Sequence, residues 1–251
     1  MLALFPPLRA VLAVLALGVP AASEELTLFA ASSLTEAVKE IASSFEKETG
    51  HEVVFNVGAS NDLARQIQAG ARADVFFSAD VAQMDGLVAA GLVRAADRVD
   101  VLSNVLVVVV PAGSGARVRS AADLVPLRRL ALADPQAVPA GVYARQWLEK
   151  AGVWDRVAER VVPTLNVRAA LSAVETGNVD AGIVYKTDAG VSKRVEIAFT
   201  VPREEGPPIV YPLAAVAASK KAGTAPLVRA LTSASAREVY VRHGFLVLGE
   251  K

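Results

Sequence analysis

From Leu26 onward, short apolar or alternating runs of strand length take turns with stretches whose apolar residues recur at helical spacing. The predicted strands are LTLFA (26–30), EVVFNV (52–57), DVFFS (74–78), NVLVVVV (104–110), RLALA (129–133), AGIVY (181–185), VEIAFT (195–200) and IVYPLAAVA (209–217). Between them, Leu34, Ala37, Val38, Ile41, Ala42 and Phe45 form one helical stripe. Ala144, Trp147, Leu148 and Ala151 form a second, and Val167, Ala170, Leu171 and Val174 a third. Gly50, Gly70, Gly91, Gly152 and Gly177 stand where helix C-caps are expected. Strand–helix–strand alternation of this kind predicts the α/β class, with mixed, mainly parallel sheets flanked by helices.

No repeat or low-complexity linker divides the chain, but two places read as crossings between lobes: Val101 to Val105, and the proline-rich stretch Pro202 to Pro208. Two crossings predict a discontinuous first lobe (24–104 with 206–251) and a second lobe (105–205). A ligand cleft is expected between them, at the C-terminal ends of strands. The N-terminus differs in kind. Arg9 is the only charge before Glu24, an apolar run covers Ala10 to Val19, and small residues follow at Pro20 to Ser23. This predicts a signal peptide over residues 1–22, with cleavage near Ala21, and hence a soluble exported product.

Composition narrows the chemistry. Of 251 residues, 53% are hydrophobic, which excludes a disordered chain, and 26 basic residues balance 26 acidic ones, which leaves no field for nucleic acid. Cysteine is absent, so disulfides, thiolate metal sites and cysteine nucleophiles are excluded.

Four strand-to-helix junctions are rich in small, hydroxyl or capping residues. Ser33 and Glu36 have the spacing of a capping box, and Gly58-Ala59-Ser60-Asn61 opens the next helix. Pro139 suits a first helical turn before Ala140, and Asn166 suits an N-cap before Val167. Each junction leaves backbone N–H groups at the positive end of a helix, where anions bind. No arginine or lysine sits at these junctions, since Arg65, Arg145 and Arg168 come further inside their helices. A site built here would hold an anion by neutral donors and select unprotonated acceptor oxygens. Asp62 is expected to face solvent or cap a free N–H. Tyr185, ending an apolar strand, is expected to be packed with its hydroxyl satisfied at the rim.

In order and spacing, FAASSLTEA (29–37), GASNDLARQI (58–67), ADVFFSAD (73–80), NVLVVVVP (104–111), DPQAVPAGVYA (134–144), NVRAALSAVETG (166–177), AGIVYKTDA (181–189) and YPLAAV (211–216) resemble the periplasmic molybdate-binding proteins of ABC importers. The resemblance implies a two-lobed type II periplasmic binding protein that encloses molybdate or tungstate. It places ligand contacts on the side chains of Ser33 and Ser60, the backbone N–H groups of Ala140 and Val167, and the Tyr185 hydroxyl. Molybdenum would be present only within the bound oxyanion, and no cofactor is implied. The partners implied are the oxyanion and a membrane permease; a monomer is the expected state. Asn61-Asp62 departs from the more hydroxyl-rich family pattern.

An enzyme reading has little support. The two histidines, His51 and His243, lie near no nucleophile elbow and are expected at the surface, and no phosphate-cradling loop motif is present. Ferric iron would want grouped tyrosine or carboxylate oxygens, whereas Tyr143, Tyr185, Tyr211 and Tyr240 are dispersed along the chain. Sulfate, also a tetrahedral dianion, stays open as the alternative ligand.

Overall fold

The computed structural model describes residues 23–249, so the segment read as a signal peptide lies outside it. The chain opens with β1 (Glu25–Ala31), α1 (Thr35–Thr49), β2 (Glu52–Gly58), α2 (Ser60–Gln68), β3 (Val75–Phe77), α3 (Val81–Ala89) and β4 (Val99–Ser103). It continues through β5 (Leu106–Pro111), β6 (Leu130–Ala133), α4 (Pro139–Lys150), α5 (Trp154–Val157), β7 (Val161–Thr164), α6 (Val167–Glu175), β8 (Ala181–Tyr185), α7 (Lys186–Gly190) and β9 (Val195–Thr200). Last come β10 (Tyr211–Ala215), α8 (Thr224–Thr232), α9 (Ala234–Arg242) and β11 (Leu246–Val247).

These strands form two sheets. The first has the order β11-β4-β10-β3-β1-β2 and the second β7-β6-β8-β5-β9. The chain therefore passes from the first sheet to the second between β4 and β5, and returns between β9 and β10. The first passage is shorter than the sequence suggests, because Val101 to Ser103 belong to β4 and only Asn104 and Val105 connect.

The sheets are mixed but not mainly parallel. β2-β1-β3 and β7-β6-β8 run parallel, whereas β10, β4 and β11 in the first sheet, and β5 and β9 in the second, pair antiparallel. Strands entered straight from the other sheet need no crossover helix and are free to run backwards. Three strands carry weak sequence signals. β4 bears a charge at its second residue, Asp100, β7 contains Pro163 and lies at a sheet edge, and β11 is two residues long.

The helical stripes bury except at Ala151, the exposed C-cap of α4: Ala37, Val38, Ile41, Ala42 and Phe45 of α1 are all buried, and the helix stops at Gly50, whose φ of 74° only glycine adopts freely. Among the described residues, no helix is long and apolar enough to cross a membrane. His51 is not at the surface. It is 9% exposed, stacks on Phe45, and its Nδ1 accepts the Glu24 N–H at 3.1 Å. His243 is partly exposed and pairs with Glu40.

Candidate functional site

The parallel strands of both sheets aim their C-terminal ends at one small cavity. From the first sheet, the turns after β1, β2 and β3 supply Ser32, Ser33, Ala59, Ser60 and Ala79; from the second, the turns after β6 and β7 and the end of β8 supply Val138, Pro139, Ala140, Val167 and Tyr185. All five residues named from the sequence, Ser33, Ser60, Ala140, Val167 and Tyr185, line it. The cavity is about 10 Å³. That is far below the roughly 300–1,000 Å³ of pockets for drug-sized ligands and leaves room for nothing larger than a small ion. A larger void of about 210 Å³ lies where the chain crosses between the sheets, lined by Ser103–Leu106, Val201–Arg203 and Gly206–Ile209, but no helix of eight or more residues starts there.

The lining carries donors and no charged side chain. α2 begins at Ser60, α4 at Pro139 and α6 at Val167, so three helix N-termini meet at the cavity. Pro139 has no N–H to offer, which makes Ala140 the first amide of α4. Gly141 follows because nothing larger fits: a Cβ there would lie 2.0 Å from the Ala133 carbonyl oxygen. Asn166 caps α6 as its sequence position predicts, accepting the Ala169 N–H at 3.0 Å and leaving the Val167 amide to the cavity.

The hydroxyls are held from behind. Ser60 Oγ accepts the Ala79 N–H at 2.9 Å, and Ser33 Oγ lies 3.2 Å from Tyr211 Oη. Tyr211 Oη in turn lies 3.1 Å from Asn104 Nδ2. The capping box expected of Ser33 and Glu36 does not form. A 3₁₀ turn over Ser32–Leu34 precedes α1, and Glu36 instead chelates Arg168, with Oε2 2.5 Å from Nη2. Tyr185 also departs from expectation: it is 1% exposed, and its hydroxyl has no hydrogen-bond partner among the described residues. Asp62 behaves as foreseen, partly exposed and bonded by Arg65 at 2.7 Å.

Charge surrounds the cavity without entering it. Arg168 bridges Glu36 on α1 and the fully buried Asp188 on α7, whose carboxylate lies 2.5 Å from Arg168 Nε. Burial pushes the Asp188 carboxyl up to about 6 against the pull of Arg168. Asp80, beside Ala79, is also raised by burial while it caps α3 through the Gln83 N–H. The tyrosines dispersed in sequence are partly gathered in space, since the Tyr185 and Tyr211 rings lie 5.8 Å apart. Burial holds both hydroxyls well above their ordinary pKa, so neither is a ready phenolate ligand for iron. Among the described residues, no group of three His, Cys, Asp or Glu residues could hold a metal.

Sequence reading missed Asn104, Ala79 and Tyr211 around this site. All three sit in the quoted segments, 104–111, 73–80 and 211–216, but nothing in their spacing marks them as neighbours of Ser33 or Ser60.

The chain is 40% identical to the molybdate-binding protein ModA of Escherichia coli (strain K12) over 229 residues, covering 89% of each chain. The solved periplasmic molybdate-binding protein of Azotobacter vinelandii superposes with a TM-score of 0.79 at 25% identity, covering 90% of this chain and 100% of that one. The sulfate-binding protein SubI of Mycobacterium tuberculosis H37Rv shares the fold, with a TM-score of 0.76 at 22% identity over 88% of this chain and 86% of that one. The family model for bacterial extracellular solute-binding proteins matches residues 26–246. The chain thus binds a solute and is not an enzyme, and it belongs to the bacterial extracellular solute-binding protein family.

Proposed function

We propose that this protein is the exported substrate-binding component of an ABC importer and captures molybdate, with tungstate as its close analogue, in the cavity between the two sheets. The observation that carries this reading is the Tyr185 hydroxyl, buried and unpartnered in a cavity lined by neutral donors with no charged side chain. Such a group costs about 1–3 kcal/mol unless a ligand oxygen meets it. Ser33 and Ser60 would bind through their hydroxyls, Ala140 and Val167 through their amides, and Tyr185 through its hydroxyl. Arg168 and the acids around it stay outside, so selection rests on shape and on unprotonated oxygens. The naming of the E. coli and A. vinelandii relatives supports molybdate over other tetrahedral anions.

In this reading, residues 24–104 with 206–251 and residues 105–205 are two lobes that close on the ligand. Contacts from both favour the closed state, and the ligand shifts the population by its differential affinity. The closed monomer then delivers its cargo from the periplasm to a membrane permease. The test is thermal unfolding of residues 22–251 with molybdate, tungstate, sulfate, phosphate or no anion. Ligand at a thousandfold its dissociation constant adds about 4 kcal/mol of stability. A rise with molybdate and tungstate alone is the expected result. A rise with sulfate as well makes the protein a broader oxyanion binder, and no rise with any anion sinks the reading.

A further inference from the structure

The hydrogen bonds that end on Ser33 have a direction, and it is set at the passage between β4 and β5. Asn104 is buried, and its Oδ1 accepts the Val105 N–H at 2.9 Å. That backbone group only donates, so the carboxamide oxygen must face it and Nδ2 must point the other way. The two Nδ2 hydrogens meet Thr187 Oγ1 at 2.9 Å and Tyr211 Oη at 3.1 Å. Tyr211 therefore accepts from Asn104, and its single hydrogen is left for Ser33 Oγ, 3.2 Å away. The reverse arrangement, with Ser33 donating, would bury the Tyr211 hydrogen without an acceptor, because Tyr211 is 0% exposed. Ser33 thus accepts from behind, and its own hydrogen turns to the cavity. Ser60 reaches the same state by a shorter route, through the Ala79 N–H.

We propose that Asn104 and Tyr211 are positioning residues that set Ser33 as a donor toward the cavity, so that the site rejects oxyanions carrying a proton. The proposal rests on reading the cavity as an oxyanion site. With Ser33 locked as a donor, an X–OH group of the ligand finds no acceptor at that position. Freed from Tyr211, the serine hydroxyl turns and accepts from such a group. The two ends of the relay also sit in the two passages between sheets, Asn104 in the first and Tyr211 at the end of the second.

The test compares molybdate with the hydrogen arsenate dianion by calorimetric titration of the mature chain. Both carry two negative charges, so any change in repulsion cancels in the ratio of their affinities, whereas only arsenate brings a proton. Tyr211→Phe removes the donor behind Ser33, and the preference for molybdate over hydrogen arsenate is expected to shrink about tenfold. Asn104→Asp turns the relay round: the carboxylate accepts from Tyr211, Tyr211 accepts from Ser33, and Ser33 offers its lone pairs to the ligand. Its preference is expected to shrink further, and this variant decides the matter should Tyr211→Phe lose its cooperative melting. A purely structural role would weaken both anions in proportion, and an unchanged ratio in the folded variants overturns the proposal alone. A wild-type chain that binds no tetrahedral anion overturns the molybdate reading and this proposal together.

Discussion

The two sides of the cavity reach the same chemistry by different means. On the first-sheet side the proposed donors are the side chains Ser33 and Ser60, each held by a hydrogen bond with a neighbouring element. On the second-sheet side they are the first free amides of α4 and α6, placed by Pro139, Gly141 and Asn166. A backbone donor cannot rotate away or be removed by truncating a side chain, so that half is fixed by how its helices start. A hydroxyl can turn, so the other half depends on what stands behind it.

The largest expected effect tests the rigid side. Gly141→Ala forces the added methyl onto the Ala133 and Asp134 carbonyls and must displace the start of α4. Losing that amide and its helix terminus is expected to weaken ligand binding by about 3–5 kcal/mol, more than a hundredfold by titration. Normal affinity would mean that α4 contributes nothing.

Next is Asp188, the buried anchor of the ion pairs that join the sides. Its folded pKa of about 6 lies above the ordinary value of 3.8, so the folded chain holds more protons in between. Stability from this group is therefore greatest below about pH 4 and falls by about 3 kcal/mol as pH rises to about 6. Urea unfolding without ligand across that range should show a flatter profile for Asp188→Asn than for the wild type.

On the adjustable side, Ser33→Ala and Ser60→Ala each remove one hydrogen bond to a charged ligand. Each is expected to weaken binding by about 1.5–3 kcal/mol while leaving the fold intact. Unchanged affinity in both would break the comparison on that side. The smallest effect belongs to Glu36→Gln, which cuts the half-exposed pair between α1 and α6. A loss of about 1 kcal/mol or less in affinity, shrinking with added salt, is expected from titrations at two ionic strengths.

Much of this was legible in the sequence where the signal is local. The periodicity of α1 and α6, the strands β1, β2, β8 and β9, the cap at Asn166 and the first-turn Pro139 all rest on residues close in sequence, and the structure has them there. The five residues named for the site were already tied together by resemblance, and the structure brings them to one cavity. What stayed hidden depends on distant partners. Glu36 has capping-box spacing, but Arg168, 132 residues away, claims its carboxylate. Tyr185 carries no mark of an unsatisfied hydroxyl, and His51 none of its burial against Phe45. The antiparallel pairing of β5, β9 and β10 escaped because an apolar run such as VLVVVV does not show which way its strand will run.

The position of β10 has a consequence for how the protein comes to fold. It lies between β3 and β4 in the first sheet, yet it is made after all of the second sheet. Until residue 215 is available, β3 and β4 have no strand to join them, and two inner strands of the first sheet are bare edges. The second sheet, by contrast, is drawn from one continuous stretch and can close on its own contacts. Folding should thus be staged, with the stretch from Leu106 to Thr200 consolidating first and the N-terminal half waiting for its late strand. A chain so ordered stays unfinished at its front end for most of its synthesis.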